Sequence, residues 1–97
     1  MVDFCITAVK YTAAGDSIEA VRVHEELPKH IGTAQIVPRE FVATLIRKGK
    51  ASFHTRVMNK ERTSWVRGAD VHVLEDVFLT TDPNNTKRDN LGSLPTF

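Results

Sequence analysis

Pro38-Arg39-Glu40-Phe41-Val42-Ala43-Thr44-Leu45-Ile46-Arg47-Lys48-Gly49 carries the start and stop signals of one helix. Pro38 has no N–H to lose in a first turn, where that donor has no intrahelical partner. Phe41, Val42, Leu45 and Ile46 recur at the spacing of one helical face. Arg47 and Lys48 place positive charge in the last turn, where the helix dipole favours it. Gly49 follows as a C′ residue that can take a left-handed conformation. The spacing predicts a helix over 38–48.

Outward from this helix the period changes from 3.6 to 2, the signature of strands. Upstream, Asp3 to Tyr11 alternates Phe4, Ile6 and Ala8 with Cys5, Thr7, Val9 and Tyr11. Both faces are largely apolar, as in a strand central to its sheet. Ala13-Ala14-Gly15-Asp16-Ser17 is turn chemistry, and Ile18 to His24 returns as the second arm of a hairpin. Glu25 to Thr33, broken by Pro28 and Gly32, reads as a loop. Downstream, Ala51 to Met58 alternates, Asn59 to Arg62 turns, and Thr63 to Arg67 forms a short strand that runs past Gly68 into Ala69–Leu74. After a reversal at Glu75-Asp76, Val77 to Thr81 is the last strand. The expected fold class is α+β: a mixed or antiparallel sheet of about five strands with one central helix, in the order ββαβββ. Residues 1–97 are expected to form one domain, with 82–97 as an extended C-terminal tail packed on the core.

The chain has 97 residues, 41% of them hydrophobic and 26% charged. These are globular proportions, so wholesale disorder is excluded. No apolar run approaches the roughly 18–20 residues that cross a bilayer. The formal charge of +1 points to neither nucleic acid nor a membrane surface. Cys5 is the single cysteine, which excludes an intrachain disulfide, and no basic and apolar leader opens the chain; a cytoplasmic location is expected.

Chemistry-bearing residues are sparse. His24, His30, His54 and His72 lack the close spacings of zinc ligands. His54 and His72 on neighbouring strands, with Cys5, form the one arrangement suggestive of a metal, and exposed strand histidines are the plainer reading. Cys5, between Phe4 and Ile6, reads as a small buried hydrophobe. Asp82-Pro83-Asn84-Asn85-Thr86 lacks the glycine and distal carboxylate of a calcium loop. No phosphate cradle, paired carboxylates or nucleophile motif is present, so neither a catalytic residue nor a cofactor is expected. The basic centre is the remaining lead: Arg47, Lys48, Lys50, Arg56, Lys60, Arg62 and Arg67 surround Trp65, and cations beside a stacking ring suit single-stranded nucleic acid. Their convergence requires the helix end and the turn after Met58 to lie at one edge of the sheet.

The closing stretch, Phe78-Leu79-Thr80-Thr81-Asp82-Pro83 and then Asp89-Asn90-Leu91-Gly92-Ser93-Leu94-Pro95, resembles small bacterial proteins of the family called domain of unknown function 3892. Ile6-Thr7-Ala8-Val9 and Ile46-Arg47-Lys48-Gly49 fit the same outline. Thr80 stands where that family usually has Arg, and Glu75-Asp76 replaces a glycine-containing turn. The resemblance implies no activity, substrate or cofactor. Read physically, Asp82, Asp89 and Asn90 start turns that aim Leu91 and Leu94 inward ahead of Pro95, a structural tether. The functional expectation is a non-catalytic binding or interaction module of a bacterial cytoplasm, its partner another protein or a second copy. The alternative is a nucleic-acid-binding domain using segment 47–67, and an enzyme comes third.

Overall fold

The computed structural model describes residues 3–15, 17–61, 64–74, 78–80 and 94–97. The elements are β1 (Phe4–Tyr11), β2 (Ile18–Glu25), β3 (Gln35–Pro38), α1 (Arg39–Arg47), β4 (Phe53–Met58), β5 (Trp65–Asp70), β6 (His72–Leu74) and β7 (Phe78–Thr80). The fold is α+β, with a mixed five-stranded sheet in the order β3-β2-β1-β4-β5 and a separate β6-β7 pair. The ββαβββ order is present. The sequence pattern misses β3, four residues that pair antiparallel with β2 from Val23↔Gln35 to Ala20↔Pro38. An edge strand this short carries too little alternation to be recognised.

Among the described strands only β1 and β4 pair in parallel, through Phe4↔Phe53, Cys5↔His54 and Ile6↔Thr55. Parallel neighbours require a crossover, and α1 supplies it between β3 and β4. The crossover commits α1 to one face of the sheet and, among the described residues, leaves the other face without a helix.

The helix ends as its sequence predicts. Gly49 sits at φ 67°, Lys50 N–H donates to Leu45 O at 2.9 Å and Gly49 N–H to Ile46 O at 3.0 Å. That pair of bonds is the Schellman motif, which satisfies carbonyls the helix itself cannot. Pro38 lies just outside the helix as its N-cap, in extended conformation. The buried stripe is centred on Val42 and Ala43 (0% and 3% exposed), while Phe41 is 55% exposed. At 100° per residue this is a small rotation from the expected face. Val42 and Ala43 pack in one core with Ile6, Val9, Val21, Phe53, Val71, Leu79 and Leu94.

A β-bulge in β1 changes the expected alternation. The register runs Ile6↔Val23, Ala8↔Arg22, Val9↔Val21, with the shift between Ile6 and Ala8. One extra residue on β1 lets Ile6 and Val9 both face the helix and puts Thr7 and Ala8 both on the opposite face. Beyond Ile6, β4 no longer pairs with β1. The chain end takes that place: Val9 N–H donates to Pro95 O at 2.9 Å and Phe97 N–H to Val9 O at 3.0 Å, a parallel bridge between Val9 and Thr96. Leu94 is buried beside it. Asp82, Asp89, Asn90 and Leu91 lie outside the described residues.

A further irregularity lies between β4 and β5, where the register shifts between His54 and Arg56. Thr55 Oγ1 accepts from Ala69 N–H at 3.1 Å. A Cβ at Gly68 would lie 2.2 Å from that oxygen. Gly68→Ala should therefore cost about 1–3 kcal/mol by overpacking, and Leu94→Ala about 2–5 kcal/mol by leaving a cavity. Urea denaturation of each variant measures both; a midpoint equal to that of the parent protein would contradict the corresponding contact.

Candidate functional site

Residues paired across neighbouring strands share a face, so the register alone assembles the helix-free face. Cys5 is opposite His24 on one side and His54 on the other, and Ala8 is opposite Arg22. Met58 is opposite Trp65, and Arg56 opposite Arg67. The segment after β2 folds over this face. Leu27 N–H donates to His30 O, Gly32 N–H to Glu25 O, and Glu26 bridges to Ile31.

Glu26 is the electrostatic centre. Arg56 donates through Nε to Oε2 at 2.5 Å and through Nη2 to Oε1 at 3.1 Å, a bidentate grip. His54 Nε2 contacts the same carboxylate. The three side chains are 11%, 23% and 4% exposed, respectively. Burial alone would raise the Glu26 carboxyl, but the bonds and charges of Arg56 and His54 pull it down to about 2. Glu26 in turn holds the Arg56 guanidinium above its usual range, against the effect of burial. Arg56 Nη1 also reaches Trp65 O at 3.3 Å. On the other side of the imidazole, His54 Nδ1 is buried without a hydrogen-bond partner among the described residues. Cys5 is fully buried next to this cluster. Its thiol is pushed up to about 12, first by burial and then by the charge and hydrogen bond of Glu26, with Arg56 opposing. A thiol so held is protonated at neutral pH, which makes it a poor nucleophile.

Beside this cluster runs a second polar chain. His24 Nδ1 lies 2.9 Å from Gly32 O. A carbonyl only accepts, so Nδ1 carries the hydrogen. In the neutral ring Nε2 then accepts from Thr7 Oγ1 at 3.0 Å, and Thr7 Oγ1 accepts from Arg22 Nε at 2.8 Å. Hydroxyl, imidazole and orienting acceptor in line resemble a nucleophile–base pair. Thr7 is 0% exposed, and Arg22 already donates to the same oxygen, so no substrate atom reaches it. The Trp65 ring lies 6.1 Å from that of His24, tilted by 46°. Since β1 and β4 separate their strands, the indole is laid across the sheet face.

Between the 26–31 segment and the β4–β5 hairpin lies a groove of about 490 Å³. Leu27, Pro28, Lys29 and Ile31 line one side, Ser64 and Trp65 the other, and Arg56 also borders it. A second cavity, about 290 Å³, sits in the seam between α1 and the sheet, lined by Phe4, Val37, Phe41 and Phe53 among others.

The basic residues expected to converge fall into separate places. Arg56, Trp65 and Arg67 share the helix-free face, with Arg67 paired to Asp70 at 3.0 Å. Lys60 is exposed at the turn after β4. Arg47, Lys48 and Lys50 are exposed at the end of α1, which precedes the opposite end of β4. At about 3.3 Å per residue, the length of β4 separates the two groups. Arg62 lies outside the described residues. His54 is paired with Asp70, while His72 belongs to β6, so the two histidines are not cross-strand partners. Among the described residues no three metal-ligating groups cluster. Of the tail residues, Leu94 is buried and Pro95 exposed.

Sequence reading singled out none of Thr7, Arg22 and Glu26 and left His24 as one histidine among four. The signal was the period-2 run Arg22, His24, Glu26 on the side of β2 opposite Val21 and Val23. It is obscured because Glu26 lies one residue past the strand.

These features define a small α+β protein with one sheet face sealed by a helix and the other lined with polar groups under a folded-over loop. The chain belongs to the family described as protein of unknown function (DUF3892), which it matches over residues 5–95. No curated protein and no solved structure matches it. No helix among the described residues is long and apolar enough to cross a membrane.

The charge cluster sets an acid limit on stability. The Glu26 carboxyl moves from its ordinary 4.5 to about 2 on folding, so its contribution is complete above pH 4.5 and is lost as pH falls toward 2. Linkage gives about 3 kcal/mol over that interval. Urea unfolding from pH 7 to pH 2 should show this loss, and Glu26→Gln should flatten the acid limb while lowering stability at pH 7. An unchanged acid limb in the variant would contradict the pairing.

Proposed function

We propose that this protein is a non-catalytic binding module of a bacterial cytoplasm and that it recognises its ligand or partner in the groove between the 26–31 segment and Trp65. The observation that carries the reading is the mutual satisfaction of the charges beneath the groove. Glu26 is held ionised by Arg56 and His54, the Cys5 thiol is held protonated, and Thr7 is sealed. Reactive chemistry needs a group poised to give up or take a proton; these groups are instead locked in one state. The groove adds an aromatic wall, apolar contacts and an exposed cation at Lys29, the usual composition of a recognition surface. Residues 82–97 act in this reading as a tether on the core, consistent with the seating of Leu94.

A nucleic-acid reading rests on one observation, that Trp65 lies beside Arg56 and Arg67. It is weakened by the commitment of both cations to carboxylates.

A thermal-shift and NMR titration with small aromatic acids, short peptides and single-stranded oligonucleotides separates these readings. The groove reading expects at least one probe to raise the melting temperature and to lose that effect in Trp65→Ala, while Arg47→Ala/Lys48→Ala retains it. Binding that survives Trp65→Ala unchanged would overturn it. The nucleic-acid reading expects oligonucleotide affinity to fall steeply with salt and with charge reversal at Arg56, Lys60 and Arg67.

A further inference from the structure

The arginines of the helix-free face are not equivalent. Arg56 and Arg67 are spent on Glu26 and Asp70. Arg22 makes a single hydrogen bond, from Nε to the buried hydroxyl of Thr7. No ion pair joins it to any carboxylate among the described residues. Glu19, three residues before it on β2, is paired with Lys10 at 3.5 Å. The residues facing Arg22 from the flanking strands are Ala8 and Ile36, which carry no charge.

A bond at Nε fixes the plane of the guanidinium and leaves both terminal nitrogens as a fork of donors. Such a fork matches the oxygens of a carboxylate or phosphate in bidentate fashion. A half-buried guanidinium held in one orientation, with no acid among the described residues to neutralise it, is a preorganised receptor for an anion. The same Thr7 hydroxyl that holds Arg22 is 3.0 Å from His24 Nε2, and the His24 ring is 6.1 Å from the Trp65 ring. The Thr7 hydroxyl thus links Arg22 to the imidazole that neighbours the indole. We propose that Arg22 anchors the carboxylate or phosphate group of a small ligand whose planar remainder lies along Trp65. This rests on the reading of the helix-free face as a recognition surface and names the chemistry it takes.

The test uses the full chain with two probes, inorganic phosphate and benzoate. Two signals report: the Arg22 Nε–Hε cross-peak in the ¹⁵N NMR spectrum, and the emission of Trp65, the single tryptophan. The expected result is a saturable shift of the Arg22 cross-peak with one or both probes, and a change in Trp65 emission with benzoate. Phosphate alone would identify a phosphate ligand, benzoate alone a carboxylate. Arg22→Gln should weaken binding at least about tenfold, and Lys48→Gln, at the end of α1, should leave it unchanged. An Arg22 cross-peak that neither probe moves would overturn the proposal, as would equal binding by Arg22→Gln; the first readout needs no variant and so does not depend on how well Arg22→Gln folds. In Trp65→Ala, phosphate should still move the Arg22 cross-peak while benzoate binding falls. If the phosphate effect remains but no groove ligand depends on Trp65, the anchor stands and the groove reading fails.

Discussion

The extra residue at Thr7 and Ala8 governs more of this structure than any other local feature. Without it, the strict alternation of a strand would place Ile6 and Val9 on opposite faces. With it, both reach the helix side and join Val21 and Val42 in the core, while Thr7 and Ala8 are together set opposite Arg22. The same irregularity coincides with the end of β1–β4 pairing after Ile6. Backbone groups in the middle of a sheet cannot be left without partners, and at Val9 residues 95–97 supply them. Core composition, the polar face and the seating of the chain end thus share one cause.

On the helix-free face the organising term is electrostatic. A carboxylate this far from water is tolerated only when paired and hydrogen-bonded. Glu26 meets that condition by drawing Arg56 and His54 from β4 across to the end of β2. Removing any one member leaves the others buried without compensation, so the cluster also fixes the path of the loop that carries Glu26 over the sheet. That loop is one side of the groove, and the buried ion pair is accordingly what gives the groove its shape.

The strongly periodic elements were legible in the sequence. The helix could be read to within a residue because Pro38, Gly49 and the apolar spacing are independent signals that agree. β1, β2 and β4 were legible because their alternation runs for six residues or more. The alternation of β1 was misassigned after Thr7, since a bulge changes the face of every later side chain without altering composition. The polar face was not legible for a different reason. Thr7, Arg22, His24, Glu26, His54 and Arg56 come from three strands and a loop, and only the pairing register brings them together. Trp65 was singled out only as the ring within a basic segment, and the register is what places it opposite Met58 and beside Arg56 and the His24 ring.

The bridge between Val9 and Thr96 joins segments far apart in sequence. During synthesis β1 precedes this partner by most of the domain and must wait, with one edge incomplete at Val9, until residues 95–97 have left the ribosome. Contacts of such long sequence separation slow folding, and an unpaired strand edge invites association with other chains in the interval. The polar and charged residues at the exposed end of β1, Lys10 and Tyr11, lie where a nascent chain most needs protection from its neighbours.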